Sequence, residues 1–128
     1  MVLDSSAIVA VLLKEPGYER LTAAMERADS IVVGAPTLLE SSMVLTSAIG
    51  QDARPLILSF LRGIEAQVVP FGEEHANAAA TAYLRFGGKR HPAGLNFGDC
   101  MSYAVAAVAG MPLLFKGKDF ERTDIERA

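Results

Sequence analysis

The chain has 128 residues, 51% of them apolar and 21% charged; at roughly 100 to 200 residues per domain it is expected to form one domain over residues 1–128, and the composition excludes a disordered tail, a collagen-like chain or a coiled coil. The net charge of -3, from 15 acids against 12 Lys and Arg, excludes a protein that coats nucleic acid through bulk positive charge. The single cysteine, Cys100, allows no internal disulfide and no Cys/His zinc pattern, and apolar runs such as residues 104–109 fall far short of the roughly 20 needed to span a bilayer. Residues 1–13 are apolar but lack a basic n-region and a small-residue cleavage site and contain Asp4, so the expectation is a cytoplasmic protein.

Residues 1–3 form a short apolar stretch stopped by Asp4, after which Ser5 and Ser6 are placed to cap a helix carrying Ala7, Ile8, Ala10, Val11 and Leu12. Pro16 and Gly17 interrupt it, and residues 18–28 resume helical spacing with Leu21, Ala24, Met25 and Ala28. The β-branched run 31–33 ends at Gly34, and Pro36 suits the first turn of a helix running to Ile49 and stopped by Gly50. Residues 54–65 place Leu56, Ile57, Phe60, Leu61 and Ile64 at helical period; a short strand at 67–69 and a helix over 73–86 follow. Residues 87–94 hold three glycines, a proline, Lys89, Arg90 and His91, which reads as a basic loop. A helix from Asn96 or Phe97 to Ala109 stops at Gly110, and a last strand spans 113–115 before the turn Lys116, Gly117, Lys118. Short strands alternating with helices of ten or more residues predict an α/β fold whose parallel sheet is covered on both faces.

In such sheets ligands bind beyond the carboxyl ends of the strands, so acids placed there are the ones to inspect. Asp4 ends the first strand, Glu40 lies one helical turn into the helix after the second, Asp119 follows the last strand, and Asp99 enters from a helix start. Glu40 aligns with Val44 and Ala48 at i+4 and i+8, which predicts a carboxylate on an apolar row that needs a cation or hydrogen bonds nearby. Taken singly, each acid also reads as a cap or turn residue, with Asp99 three residues after Asn96 in a capping-box arrangement. Taken together, four carboxylates at one end of a sheet repel one another, and hard oxygen-binding cations such as Mg²⁺ or Mn²⁺ are the usual compensation. His75 and His91 read as solvent-exposed or capping residues and Cys100 as a small buried hydrophobe.

Three segments carry a family resemblance: MVLDSSAIVAVLLKEPG at the start, APTLLESSMVL in the middle and LNFGDCMSYAVAAVAGMPLLFKGKDFERTDI at the end. In length, motif order and spacing the whole chain resembles the PIN-domain ribonucleases of the VapC toxin type. The resemblance implies a three-layer α/β/α sandwich with a mainly parallel sheet, an acidic pocket of Asp4, Glu40, Asp99 and Asp119, and Mg²⁺- or Mn²⁺-dependent cleavage of RNA leaving a 5′-phosphate and a 3′-hydroxyl. It also implies a VapB-type antitoxin whose C-terminal segment blocks the pocket, and a toxin homodimer. Two departures stand out: Ser5 where many relatives carry Thr, and Lys118 where relatives often place an acidic or polar residue, so the fourth carboxylate rests on Asp119 alone.

On this reading Asp4 and Asp99 hold the metal, Glu40 completes its shell or orients the attacking water, and Asp119 holds a second ion or a water. Ser5 and Asn96 would position Asp4 and Asp99, a role that competes with simple capping. Arg85, Lys89, Arg90, Lys116 and Lys118 are candidates for drawing in the RNA backbone. The apolar helices of 5–28 and 54–65 offer a groove for a partner helix, or else are ordinary core. A receiver domain fits poorly, because Ser5 follows Asp4 and Val68, Val69, Pro70 offer no acid; a haloacid-dehalogenase-type phosphatase would want Asp at Ser6. A non-catalytic module whose acids are all caps would bind no Mn²⁺ stoichiometrically.

Overall fold

A computed structural model describes residues 1–128. Four strands, β1 (Val2–Leu3), β2 (Val32–Gly34), β3 (Gln67–Val69) and β4 (Leu113–Leu114), form one sheet in the order β3-β2-β1-β4, every pair parallel. Helices α1 (Ser5–Leu12), α2 (Tyr18–Glu26), α3 (Ala35–Ile49), α4 (Arg54–Gly63), α5 (Glu73–Phe86) and α6 (Phe97–Ala109) supply the crossovers that parallel strands require.

The strand pleat divides the core into two. Leu3, Val33 and Leu114 point to one face, where they pack with Ile8, Leu21, Leu45, Ile57 and Leu61 from α1 to α4. Val2, Val32 and Leu113 point to the other, against Ala82 and Phe86 of α5 and Tyr103, Val105 and Ala106 of α6. The result is the predicted three-layer α/β/α sandwich. Helices α1, α2 and α4 contribute Ile8, Leu21, Ile57 and Leu61 to the first of these cores. At Gly34 a Cβ would meet Val105 Cγ2 at 2.8 Å, so the absence of a side chain lets α6 approach the end of β2.

The predicted element boundaries hold to within a few residues, and Gly50 and Gly110 close their helices in the left-handed conformation at φ 72° and 61°. The basic loop is more ordered than its composition suggested. A 3₁₀ turn spans Gly88–Arg90, Leu95 N–H donates to the Phe86 carbonyl at 3.0 Å, and His91 stacks edge-on against Phe86 with centroids 5.2 Å apart. His75 caps α5 by accepting from Gly72 N–H at 3.3 Å, and Cys100 is buried.

Chain order runs β1 to β3 outward on one side of β1, then crosses to place β4 on the other. That reversal leaves the crevice between β1 and β4 at the carboxyl edge of the sheet as the binding position for this topology.

Candidate metal centre

Asp4 stands at that crevice. Its backbone is extended (φ -83°, ψ 157°) and it caps α1, Oδ2 accepting from the Ser6 N–H at 3.0 Å and from the Ser6 hydroxyl at 2.5 Å. Of the two capping candidates in the sequence, Asp4 and the serines after it, Asp4 is the cap. Ser6 Oγ in turn accepts from the Lys116 N–H at 3.0 Å, tying the end of β1 to the segment after β4. Ser6 was missed as a positioning residue; its signal was a hydroxyl two places after an acid, the spacing of a side-chain-closed turn. Only 3% of Asp4 is exposed, and its Oδ1 is buried with no hydrogen-bond partner.

Glu40 is half-buried on the second turn of α3, but not for the reason its apolar row suggested. Val44 on that row, with Leu39 and Met43 beside it, faces solvent, and the buried row is Thr37, Ser41 and Leu45. Glu40 is covered instead by the start of α6: a Cβ on Gly98 would lie 2.5 Å from Glu40 Oε1. Burial raises its pKa, the Ser5 hydroxyl lowers it by hydrogen bonding, and the charge of Asp4 raises it further. The hydroxyl that bonds Asp4 is that of Ser6. Gly98 is the other missed residue; a glycine in the first turn of a helix signals close approach.

Asp99 and Asn96 form a reciprocal capping box at the start of α6, with Asp99 Oδ2 accepting from Asn96 N–H at 2.8 Å and Asn96 Oδ1 from Asp99 N–H at 2.9 Å. Capping and positioning are here one arrangement, since the bond that closes the helix also fixes the carboxylate. Burial pushes the Asp99 carboxyl up to about 6; the Asn96 N–H opposes the shift, and the charges of Asp4, Asp119 and Glu40 reinforce it. Asp119 is exposed in the turn after β4, anchored by its buried neighbour Phe120. The four predicted acids therefore share one electrostatic neighbourhood.

No three His, Cys, Asp or Glu side chains stand close enough together to hold a metal ion between them. The donors nevertheless suit a hard cation: all are carboxylate oxygens, one is buried and unsatisfied, and Mg²⁺ characteristically takes one or two carboxylates and keeps several waters. Two of the five candidate cations are already engaged. Arg85 pairs with Asp124 at 2.7 Å, the same carboxylate that accepts from Tyr103 at 2.6 Å, and Lys116 pairs with Glu15. Lys89, Arg90 and Lys118 are exposed and make no ion pair.

A pH dependence of stability follows from Asp99. Its folded pKa lies above its unfolded one, so the native state binds the proton more readily, and the metal-free protein gains stability as pH falls from above 6 towards 4. Because the carboxyl is only partly buried, the gain is on the order of 1 kcal/mol after allowing for solvent screening. Glu40 shifts the same way, whereas Asp52 and Asp124 are lowered and lose stability at more acidic pH. Thermal melts in EDTA are expected to rise by a few degrees between pH 7.5 and 5, and Asp99→Asn should flatten that rise. A rise undiminished in the variant would remove Asp99 as its source.

The PIN domain family model matches residues 1–126. Among curated proteins, the chain is similar to Ribonuclease VapC30 of Mycobacterium tuberculosis, 41% identical over 125 residues that cover 98% of this chain and 95% of that protein. Ribonuclease VapC36 of the same organism is 44% identical, covering 98% and 91%. Among solved structures, M. tuberculosis VapC20, described as a sarcin-ricin loop cleaving toxin, superposes with a TM-score of 0.79 at 16% identity, covering 99% of this chain and 97% of that one. VapBC2 from Rickettsia felis, bound to a DNA fragment from its promoter, gives 0.74 at 15% identity, with coverage of 98% and 94%.

Proposed function

This chain belongs to the PIN domain family, and from that premise we propose that it is a Mg²⁺- or Mn²⁺-dependent endoribonuclease, the toxin of a type II toxin–antitoxin pair. The observation that carries the reading is the buried, unsatisfied Oδ1 of Asp4 at the carboxyl edge of the sheet, with Glu40, Asp99 and Asp119 near enough to act on one another's charge. The ribonuclease names of relatives more than 40% identical over nearly the whole chain support the same reading.

Asp4 and Asp99 would hold the ion, with Glu40 and Asp119 completing the acidic rim; a divalent ion bound there would supply charge neutralisation at the scissile phosphate and a water of lowered pKa. The chain supplies the rest. Ser6 and Asn96 fix the carboxylates, Glu40 orients the water, and Lys89, Arg90 and Lys118 offset the repulsion between an acidic pocket and a polyanion. Water is the nucleophile and O3′ the leaving group, as the family resemblance implies, so the products carry a 5′-phosphate and a 3′-hydroxyl and no 2′-OH participates. A VapB-type antitoxin is the partner, in keeping with the VapBC complexes of Rickettsia felis and Salmonella typhimurium among the structural neighbours, and it blocks the pocket. The protein acts in the cytoplasm; no helix is long and apolar enough to cross a membrane.

The test is cleavage of end-labelled RNA by the purified, partner-free chain with Mn²⁺, with EDTA, and with Asp99→Asn. Cleavage that needs both the ion and Asp99 supports the proposal, and cyclic-phosphate products or a fully active variant would sink it. Gly98→Ala is expected to slow cleavage about 10- to 100-fold, a magnitude typical of disturbing a group that orients metal ligands. The new methyl forces Glu40 from its seat, while that flexible side chain lets α6 keep its place. Equal rates and equal melting for Gly98→Ala and wild type would show that Glu40 is not held by this contact.

A further inference from the structure

In a chain of net charge -3, three arginines converge on one cleft away from the acidic pocket. Arg20, Arg27 and Arg127 border a hollow of about 350 Å³, and Ala24, Leu114 and Ala128 complete its lining. Arg20 in α2 and Arg27 at its C-terminal cap are seven residues apart, which is two turns along one face and about 10 Å along the axis. Ala24 stands between them and is too small to fill the gap. Nothing in the chain neutralises this pair. No acid lies three or four residues from either arginine, the spacing at which helix neighbours meet, and neither enters an ion pair. Arg127 is held in place from the other side. Its guanidinium lies over the Phe115 ring, 4.6 Å from the centroid, and its one acidic contact is Glu121 at 3.4 Å. Three like charges around one hollow repel one another until an anion enters it.

The position of the cleft says which anion. The segment carrying Arg127 continues the sheet beyond β4, with Leu113 N–H donating to the Glu126 carbonyl at 2.8 Å and Ala128 N–H to the Leu113 carbonyl at 3.0 Å. Just past the carboxyl end of β4, Lys116 pairs with Glu15, three residues before α2 begins. Helix α2 and the extended sheet edge therefore border the same side of the molecule as the crevice between β1 and β4. One buried leucine and two alanines offer a protein partner little apolar area, whereas guanidinium forks match the oxygens of a phosphate.

We propose that the cleft of Arg20, Arg27 and Arg127 is a second RNA-binding site, which holds backbone phosphates of the strand several nucleotides away from the bond that is cut. The inference rests on the ribonuclease reading for the identity of the polyanion and deepens it, because the favoured substrate is then an RNA long enough to reach from the pocket to the cleft.

The test is fluorescence anisotropy of labelled single-stranded RNAs of about 4 and about 30 nucleotides with the intact chain in EDTA. Arg20→Ala with Arg27→Ala, both exposed positions, is expected to weaken binding of the long RNA about tenfold and to leave the short one unaffected. The plot of log affinity against log salt for the long RNA should flatten by about 1.4, the contribution of two single-strand phosphate contacts. Arg54→Ala with Arg62→Ala removes the same charge from α4 and should change neither RNA. Unchanged binding of the long RNA overturns the proposal and gives the cleft to an acidic protein segment. An equal loss in the α4 variant also overturns it, since net charge would then be the cause, as does an equal loss for the short RNA, which would put the arginines at the pocket. Cleavage of the two RNAs with Mn²⁺ reports the pocket separately. A wild type that cuts neither sinks the ribonuclease reading, and the long-RNA binding still decides on the cleft.

Discussion

Asp4→Asn is expected to slow RNA cleavage on the order of 10³-fold or more, the scale at which removal of one essential charge-stabilising group acts in a preorganised site. The substitution keeps the shape of the side chain, and the amide oxygen can still accept from the Ser6 N–H and hydroxyl, so the α1 cap and the link to Lys116 persist. What disappears is the negative charge at Oδ1, the buried oxygen that nothing in the chain satisfies. The new amide is itself unpaired there, but the variant no longer confines a carboxylate beside Asp99 and Glu40. These effects oppose each other, and stability should change by less than about 2 kcal/mol. Single-turnover cleavage beside a thermal melt separates the outcomes. A variant that melts like wild type and cleaves within tenfold of it would show that Asp4 is a cap and no more.

Phe115→Ala should cost about 3 to 5 kcal/mol, the range for truncating a buried aromatic side chain. Phe115 is 1% exposed, packs on Phe120 with ring centroids 5.0 Å apart, and lies beneath the Arg127 guanidinium 4.6 Å from its centroid. Such a loss is a large part of the roughly 5 to 15 kcal/mol by which a domain is stable. It also removes the post that holds residues 116–128, including Asp119, against the sheet. Urea denaturation should show a lower midpoint with an unchanged slope, and cleavage should fall further than the folded fraction alone explains. A midpoint within about 0.5 kcal/mol of wild type would mean that the segment is anchored elsewhere.

The layout of the molecule is legible in the sequence because its signals are local. Gly50 and Gly110 end their helices, and the 3.6-residue spacing of Ile57 and Leu61 or Leu21 and Met25 names the buried face. Asp4, Asp99 and Asp119 are legible as site candidates because each follows a strand or opens a helix at the same edge of the sheet. What resisted reading was whatever depends on two segments meeting. Glu40 was placed on the wrong apolar row because α3 turns Leu39, Met43 and Val44 to solvent and is covered by α6, which the period of one helix cannot reveal. Gly98 gains its meaning only from Glu40, 58 positions earlier, and Ser6 only from Lys116. Likewise Arg85 and Lys116 look free in the sequence and are ion-paired in the fold, their partners Asp124 and Glu15 lying 39 and 101 residues away.

The bond from Lys116 N–H to Ser6 has a bearing on when the acidic site becomes complete. Residues 6 and 116 are separated by nearly the whole chain, and Asp4 N–H is likewise held by the carbonyl of Leu114. A chain still being synthesised has β1 without its neighbour on one side, no Ser6 anchor and no Asp119 until the last strand has emerged. Contacts this distant in sequence form late, after the local helices. A site built this way stays incomplete until β4 and the turn after it have been made and have docked against β1, so its assembly is one of the last steps of folding.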